Sequence, residues 1–227
     1  INHLSKNKLK KFAELETFTH VIQPTFDQLN DSLNHKGKWG LNFFKNTNPI
    51  VLELGCGKGE YTIALAKQFP EKNFIGVDIK GSRIWSGAKE SFDEKLKNVA
   101  FLRIRIGMIC QCFSKNEIDE IWITFPDPQL KRRRARKRLT HPEFLRKYNR
   151  ILKEEGKIHL KTDSQFLHGF TLGIIYGENH ILEDSTVDLY NSEVKRKHLG
   201  IKTYYESKFL EMGMPITYLR FCLNYKD

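Results

Sequence analysis

Four carboxylates stand at the ends of apolar, β-branched runs in this 227-residue chain: Glu53 in "PIVLELG", Asp78 in "NFIGVDI", Asp127 in "WITFPDP" and Asp163 in "GKIHLKTD". Gly55, Gly57 and Gly59 follow the first run directly. Glycines in that place permit positive φ and let a ligand come close to the backbone. Asp78 lies 23 residues beyond Gly55, where a carboxylate can accept from both hydroxyls of a ribose. Glu53, Gly55, Gly57 and Asp78 therefore read as a site for a nucleoside-containing cofactor, with a bare strand-to-helix turn as the alternative.

The charge around the turn narrows the choice of cofactor. The dinucleotide pattern G-x-G-x-x-G needs a third glycine at position 60, and the chain has Glu60. A pyrophosphate at that helix start would meet a carboxylate, with Glu53 close by. S-adenosylmethionine has no phosphate and carries a cationic ammonium and sulfonium. The acidic loop suits it and disfavours a nicotinamide dinucleotide.

Asp127 sits between Pro126 and Pro128, which hold it rigidly. Beyond it come eight residues, Lys131 to Arg138, all cationic except Ala135. Such a run repels itself unless it is solvated or neutralised. It lies between a strand pattern and a helix pattern, which argues against a disordered tail. Phosphate contacts from several Arg and Lys would give affinity for a nucleic acid without sequence specificity; a solvated loop is the alternative. Lys6, Lys8, Lys10 and Lys11, together with "EVKRKHLGIK" at 193–202, could widen the footprint.

The elements that must position these groups follow from periodicity. Strand-like runs ("PIVLELG", "NFIGVDI", "NVAFLRI", "EIDEIWITF", "GKIHLKTD") alternate with helical stretches ("EYTIALAKQF", "SRIWSGAKESFDEKL", "HPEFLRKYNRIL", "SQFLHGFTLGIIYG"). This predicts an α/β domain with a largely parallel sheet covered on both faces. Thr140 and Glu143 are spaced as a capping box for the third of those helices. "ITYLRFCLNY" is a further strand-like run, and 181–205 fits neither pattern cleanly. If the first strand neighbours the second and the fourth, the four carboxylates converge on one crevice at the carboxyl edge of the sheet. Residues 1–47 read as a basic, partly helical extension preceding a domain at 48–227.

The totals bound the class. With 38 Lys and Arg against 27 Asp and Glu, the net charge is +11. That excess favours a polyanionic partner, nucleic acid before a membrane surface. No apolar run approaches the roughly 20 residues of a membrane span. Four cysteines without a C-x-x-C pair, and eight histidines without ligand spacing, argue against a metal site and for reduced thiols in a cytoplasmic protein.

"ELGCGKGEYT", "PDP" followed by a Lys and a basic run ending in "KRLT", then "LKTD" and "KTYYESKF", occur in that order. In this the chain resembles the bacterial tRNA (guanine-N7-)-methyltransferase family from about Leu9 to its end. The resemblance implies a Rossmann-like class I methyltransferase fold with a mostly parallel seven-stranded sheet. It implies methyl transfer from S-adenosylmethionine to N7 of guanine 46 in the tRNA variable loop; whether the chain acts as a monomer or homodimer is left open by the sequence. Carried over by motif, Glu53, Gly55, Gly57 and Asp78 bind cofactor. Asp127 is the active-site aspartate and also lies at the cofactor. Lys131, Asp163, Thr203, Tyr204, Tyr205 and Glu206 bind substrate, although Thr203 and Glu206 also have the spacing of a helix cap. The chain departs from the family at Gln129-Leu130, where Trp-Pro is usual, at Arg134, where His is common, and near Arg105, where a cofactor-contacting acid is frequent. A methyltransferase with another substrate, or a non-catalytic RNA-binding protein of the same fold, are the competing expectations.

Overall fold

A computed structural model describes residues 2–31, 33–194 and 197–225, and the side chains of these except 2–7, 197 and 198. Lys195 and Arg196, and the side chains of Lys6 and Lys197, expected to widen the basic footprint, lie outside what is described. Among the described residues the sheet has eight strands: β1 (Val21–Ile22), β2 (Ile50–Leu54), β3 (Asn73–Asp78), β4 (Val99–Arg103), β5 (Ile118–Thr124), β6 (Leu152–Thr162), β7 (Ile181–Thr186) and β8 (Thr217–Cys222). Their order is β1-β4-β3-β2-β5-β6-β8-β7. All neighbours are parallel except β8, which runs antiparallel to both β6 and β7.

The count corrects the expected seven strands. The eighth is β1, whose two residues pair with Phe101 and Leu102 at the edge. A two-residue strand is too short to show a period. The segment that fitted no pattern contains β7, half-exposed in strict alternation along its length.

Central β2 is buried at all five positions, as expected for a parallel strand covered on both faces. Successive residues point to opposite sides. Leu52 and Leu54 join Ile75, Val77, Ile121 and Ile123 in one core. Val51 joins Phe74, Phe101 and Trp122 in the other. The helices are α1 (Asn2–Leu15), α2 (Phe26–Asn30), α3 (Glu60–Gln68), α4 (Gly81–Asp93), α5 (Ile109–Cys112), α6 (Pro142–Asn149), α7 (Gln165–Gly177) and α8 (Tyr204–Glu211).

Residues before 48 join both cores, through Leu15 and Phe18 in one and Leu29, Trp39 and Phe44 in the other. Helix α1 is tied to α4 by the Trp85 Nε1–H, which donates to Glu14 at 2.8 Å. Helix α6 is capped differently from the spacing: His141 Nδ1, not Thr140, accepts from the Glu143 N–H. Thr140 is buried and accepts from the Thr171 hydroxyl at 2.8 Å, so burial took the residue that the pattern nominated. Among the described residues no helix is long and apolar enough to cross a membrane, and no group of three His, Cys, Asp or Glu is placed to hold a metal ion.

Candidate active site

Strand order reverses at β2, between β3 and β5, so a crevice opens beyond its carboxyl end. A groove lies there, lined by Glu53, Gly55, Gly57, Tyr61, Thr124 and Tyr205 among others. Gly55 and Gly57 turn the chain with φ of +80° and +57°. A Cβ on either would meet no atom closer than 3.8 Å, so it is the positive φ and not crowding that calls for glycine there. Gly59 serves the packing instead, since a Cβ there would strike the Phe101 ring at 2.7 Å.

Glu53 sits in the groove floor with 4% of its surface exposed. It accepts from the Thr62 N–H at 2.9 Å, from the Thr62 hydroxyl, and from the Thr124 hydroxyl at 2.5 Å. Burial pushes its carboxyl up to about 7; the hydrogen bonds from Thr124 and Thr62 oppose this, and the charge of Asp78 adds to it. Asp78, at the end of β3, ties the glycine turn to that strand by accepting from the Gly57 N–H at 3.0 Å, and it also accepts from the backbone N–H of Lys80 at 2.8 Å. An open glycine turn with an acidic floor fits the cationic amino-acid end of S-adenosylmethionine. Glu60 at the start of α3 would repel a pyrophosphate.

Asp127 lies three residues beyond the end of β5 and two beyond the groove-lining Phe125, and it is exposed. Its Oδ1 accepts from the Gln129 N–H at 2.9 Å. Asp163, at the end of β6, has no hydrogen bond or ion pair among the described residues. The cationic run forms a 3-10 turn over Arg132–Lys137. Lys131, Arg132, Arg133, Arg134 and Lys137 are exposed, and none has a carboxylate partner among the described residues. Arg136 is 81% exposed and faces Glu143 at 3.4 Å. Arg138 departs from the pattern. Only 5% of its surface is exposed and it turns inward, so it is not part of the charged surface.

The start of α8 forms one wall of the groove, through Thr203 and Tyr205. Its capping box forms as spaced: the Thr203 hydroxyl accepts from the Glu206 N–H, and Glu206 accepts from the Thr203 N–H, both at 3.3 Å. Glu60 adds a third tie, accepting from the Tyr204 N–H at 2.7 Å. Tyr204 and Tyr205 are just over half exposed. Lys208 and Lys58 lie 4.5 and 5.5 Å from the Tyr204 ring.

Glu206 is fully buried, so its carboxylate cannot meet a substrate in this conformation. It pairs with Lys161, equally buried, at 2.7 Å and accepts from the Tyr190 hydroxyl at 2.5 Å. Lys161 also donates to the Ile201 carbonyl at 2.8 Å. Burial lowers the Lys161 ammonium and Glu206 beside it acts the other way. Glu206 thus holds the start of α8 in place, where the motif placed it among the substrate contacts. Lys161 carried one signal in the sequence: with His159 it is a polar residue on one face of "KIHLKT", alternating with Ile158 and Leu160 on the other. Thr62 and Thr124 carried none.

The model of a family described as putative methyltransferases matches residues 47–219. A tRNA (guanine-N(7)-)-methyltransferase of Christiangramia forsetii is 55% identical over 219 residues, spanning 96% of this chain and 98% of that one. Proteins of the same name from Bacteroides fragilis and Clostridioides difficile are 49% and 38% identical, over 97% and 93% of this chain and 87% and 95% of theirs. Among solved structures, the 16S rRNA methyltransferase KamB superposes with a TM-score of 0.64 at 13% identity, covering 90% of this chain and 96% of that one. An antibiotic-related methyltransferase gives 0.59 at 17%, with the same coverage. At such identities these structures speak for the fold alone.

Sheet order, glycine turn and acidic groove define a class I S-adenosylmethionine-dependent methyltransferase. Within that class the chain belongs to the tRNA (guanine-N(7)-)-methyltransferase family.

Proposed function

We propose that this enzyme methylates N7 of guanosine 46 in the variable loop of tRNA. The observation that carries the reading is the loop after β5. It carries Asp127, two residues beyond the groove-lining Phe125, and continues into five exposed cations with no carboxylate partner among the described residues. A polyanion laid across those cations brings a base to the mouth of the groove. The family's named substrate supplies its identity, and the four free thiols support a cytoplasmic location.

The chemistry asks little acid–base work of the protein. Guanine N7 has an in-plane lone pair that is unprotonated near neutral pH. S-adenosylmethionine, when bound, supplies the electrophilic methyl group. Gly55 and Gly57 admit it, and Glu53 with Asp78 gives that end of the groove its negative charge. Asp127 orients the guanine edge and stabilises the positive charge that develops on the purine. Asp163, unpartnered at the neighbouring strand end, shares in holding the guanine. Lys131 anchors the nucleotide phosphate, and Thr203, Tyr204 and Tyr205 border the entering nucleotide.

Labelled methyl transfer to unmodified tRNA transcripts tests this at the atom. A transcript with guanine at 46 is expected to take up label, and one with 7-deazaguanine there is expected to take up none. Equal incorporation into both would overturn the assignment.

A further inference from the structure

We propose that Arg138 is a positioning residue that fixes the loop carrying Asp127, not one of the cations that meet RNA phosphate. Its Nε–H donates to the Pro128 carbonyl at 3.2 Å and its Nη2–H to the Gln129 carbonyl at 3.1 Å. The planar fork of the guanidinium thus spans two consecutive peptides immediately after Asp127. Its central carbon lies 4.7 and 4.4 Å from the ring centroids of Phe166 and Phe170, one turn apart on α7. No carboxylate pairs with it among the described residues. Among the described residues its charge is held by carbonyls and ring faces alone.

The loop needs such a brace. Phe125 and Gln129, either side of Pro126-Asp127-Pro128, have φ of +46° and +47°. Non-glycine residues persist in that region only where the surroundings hold them. The Gln129 N–H is the group that Asp127 Oδ1 accepts from, and the Gln129 carbonyl is one that Arg138 grips. One peptide after another, Arg138 fixes Gln129 and Gln129 fixes the carboxylate. Since α7 starts just after Asp163, the same contact ties Asp127 to the loop of the second candidate guanine-holding aspartate.

This rests on the reading of Asp127 given above. Arg138→Lys keeps the charge but loses the fork and the flat face. The expected result is a fall in kcat on the order of ten- to a hundredfold. The tRNA dissociation constant and its salt dependence should stay as in the parent. Because Arg138 acts through Asp127, Arg138→Lys combined with Asp127→Ala should be no slower than Asp127→Ala alone. Phe170→Leu, which removes one ring from the brace, should lower kcat in the same direction if Arg138→Lys proves too unstable to assay. Unchanged kcat in a folded variant, with the slope of log affinity against log salt reduced by about 0.7 to 0.9, would make Arg138 a phosphate contact and overturn the proposal. So would additive losses in the double variant. Amide exchange at Gln129 tests the brace without any turnover. Faster exchange in Arg138→Lys is expected and unchanged exchange contradicts it, even were the parent protein to transfer no methyl to tRNA.

Discussion

Glu53 holds its proton in the folded protein up to about pH 7, whereas a solvated glutamate has an ordinary value near 4.5. Between those values the folded state binds a proton that the unfolded chain has released. The stability this group contributes is therefore present below 4.5 and lost as pH rises to about 7. The loss is on the order of 3 kcal/mol. Urea melts across that window should show Glu53→Gln with a flatter profile than the parent; parallel profiles would count against it. Cofactor binding should run the other way. The cationic end of S-adenosylmethionine favours the ionised carboxylate, so affinity should rise with pH through the same window in the parent and stay flat in Glu53→Gln. Calorimetric titrations at several pH values would check this, and a slope kept in the variant would remove Glu53 from the site. The acidic positions were legible in the sequence because each closes an apolar run. The Thr62 and Thr124 hydroxyls that hold Glu53 were not, since only tertiary packing brings α3 and β5 to it.

At the scale of elements, the groove wall depends on helix α8 being set at a fixed angle. Its first turn is held by the Thr203–Glu206 box, by Glu60 at the cofactor turn, and from behind by buried Lys161. Removing one partner of a buried ion pair leaves the other charge uncompensated, at a cost of roughly 3–5 kcal/mol. Lys161→Met should destabilise by that order. Adding Glu206→Gln should recover a large part, because the stranded charge is gone. A double variant as unstable as the sum of the singles, in denaturant melts, would show that the pair is not what holds α8. The alternation of strands and helices could be read directly from periodicities of two and 3.6. The edge strand Val21–Ile22 could not, because two residues carry no period. A capping spacing, for its part, names a candidate and not an outcome. Thr203 caps α8 as spaced, but Thr140 is buried against Thr171 and His141 caps α6 in its place.

Across the whole molecule, the excess of +11 is partly concentrated in the loop after β5, where Lys131, Arg132, Arg133, Arg134 and Lys137 face solvent. Binding that neutralises phosphates releases counterions, so tRNA affinity should fall steeply and linearly on a log–log plot against salt. Replacing Arg132, Arg133 and Arg134 by Ala should weaken binding similarly for all tRNAs. Every phosphate left without its cation should reduce the slope by about 0.7 to 0.9, with kcat at saturating tRNA little changed. A salt slope untouched by the triple substitution would move the RNA footprint elsewhere. The basic run was plain in the sequence, but the inward turn of its last member was not. Seven cations look alike until Phe166 and Phe170, some thirty residues on, are seen beneath one of them. The position of the methylated base reports the reaction itself. Unmodified tRNA incubated with the enzyme and S-adenosylmethionine, then reduced and cleaved at 7-methylguanosine, should be cut once, at guanosine 46. An uncut transcript under conditions in which the tRNA is bound, or a cut elsewhere, would contradict the account.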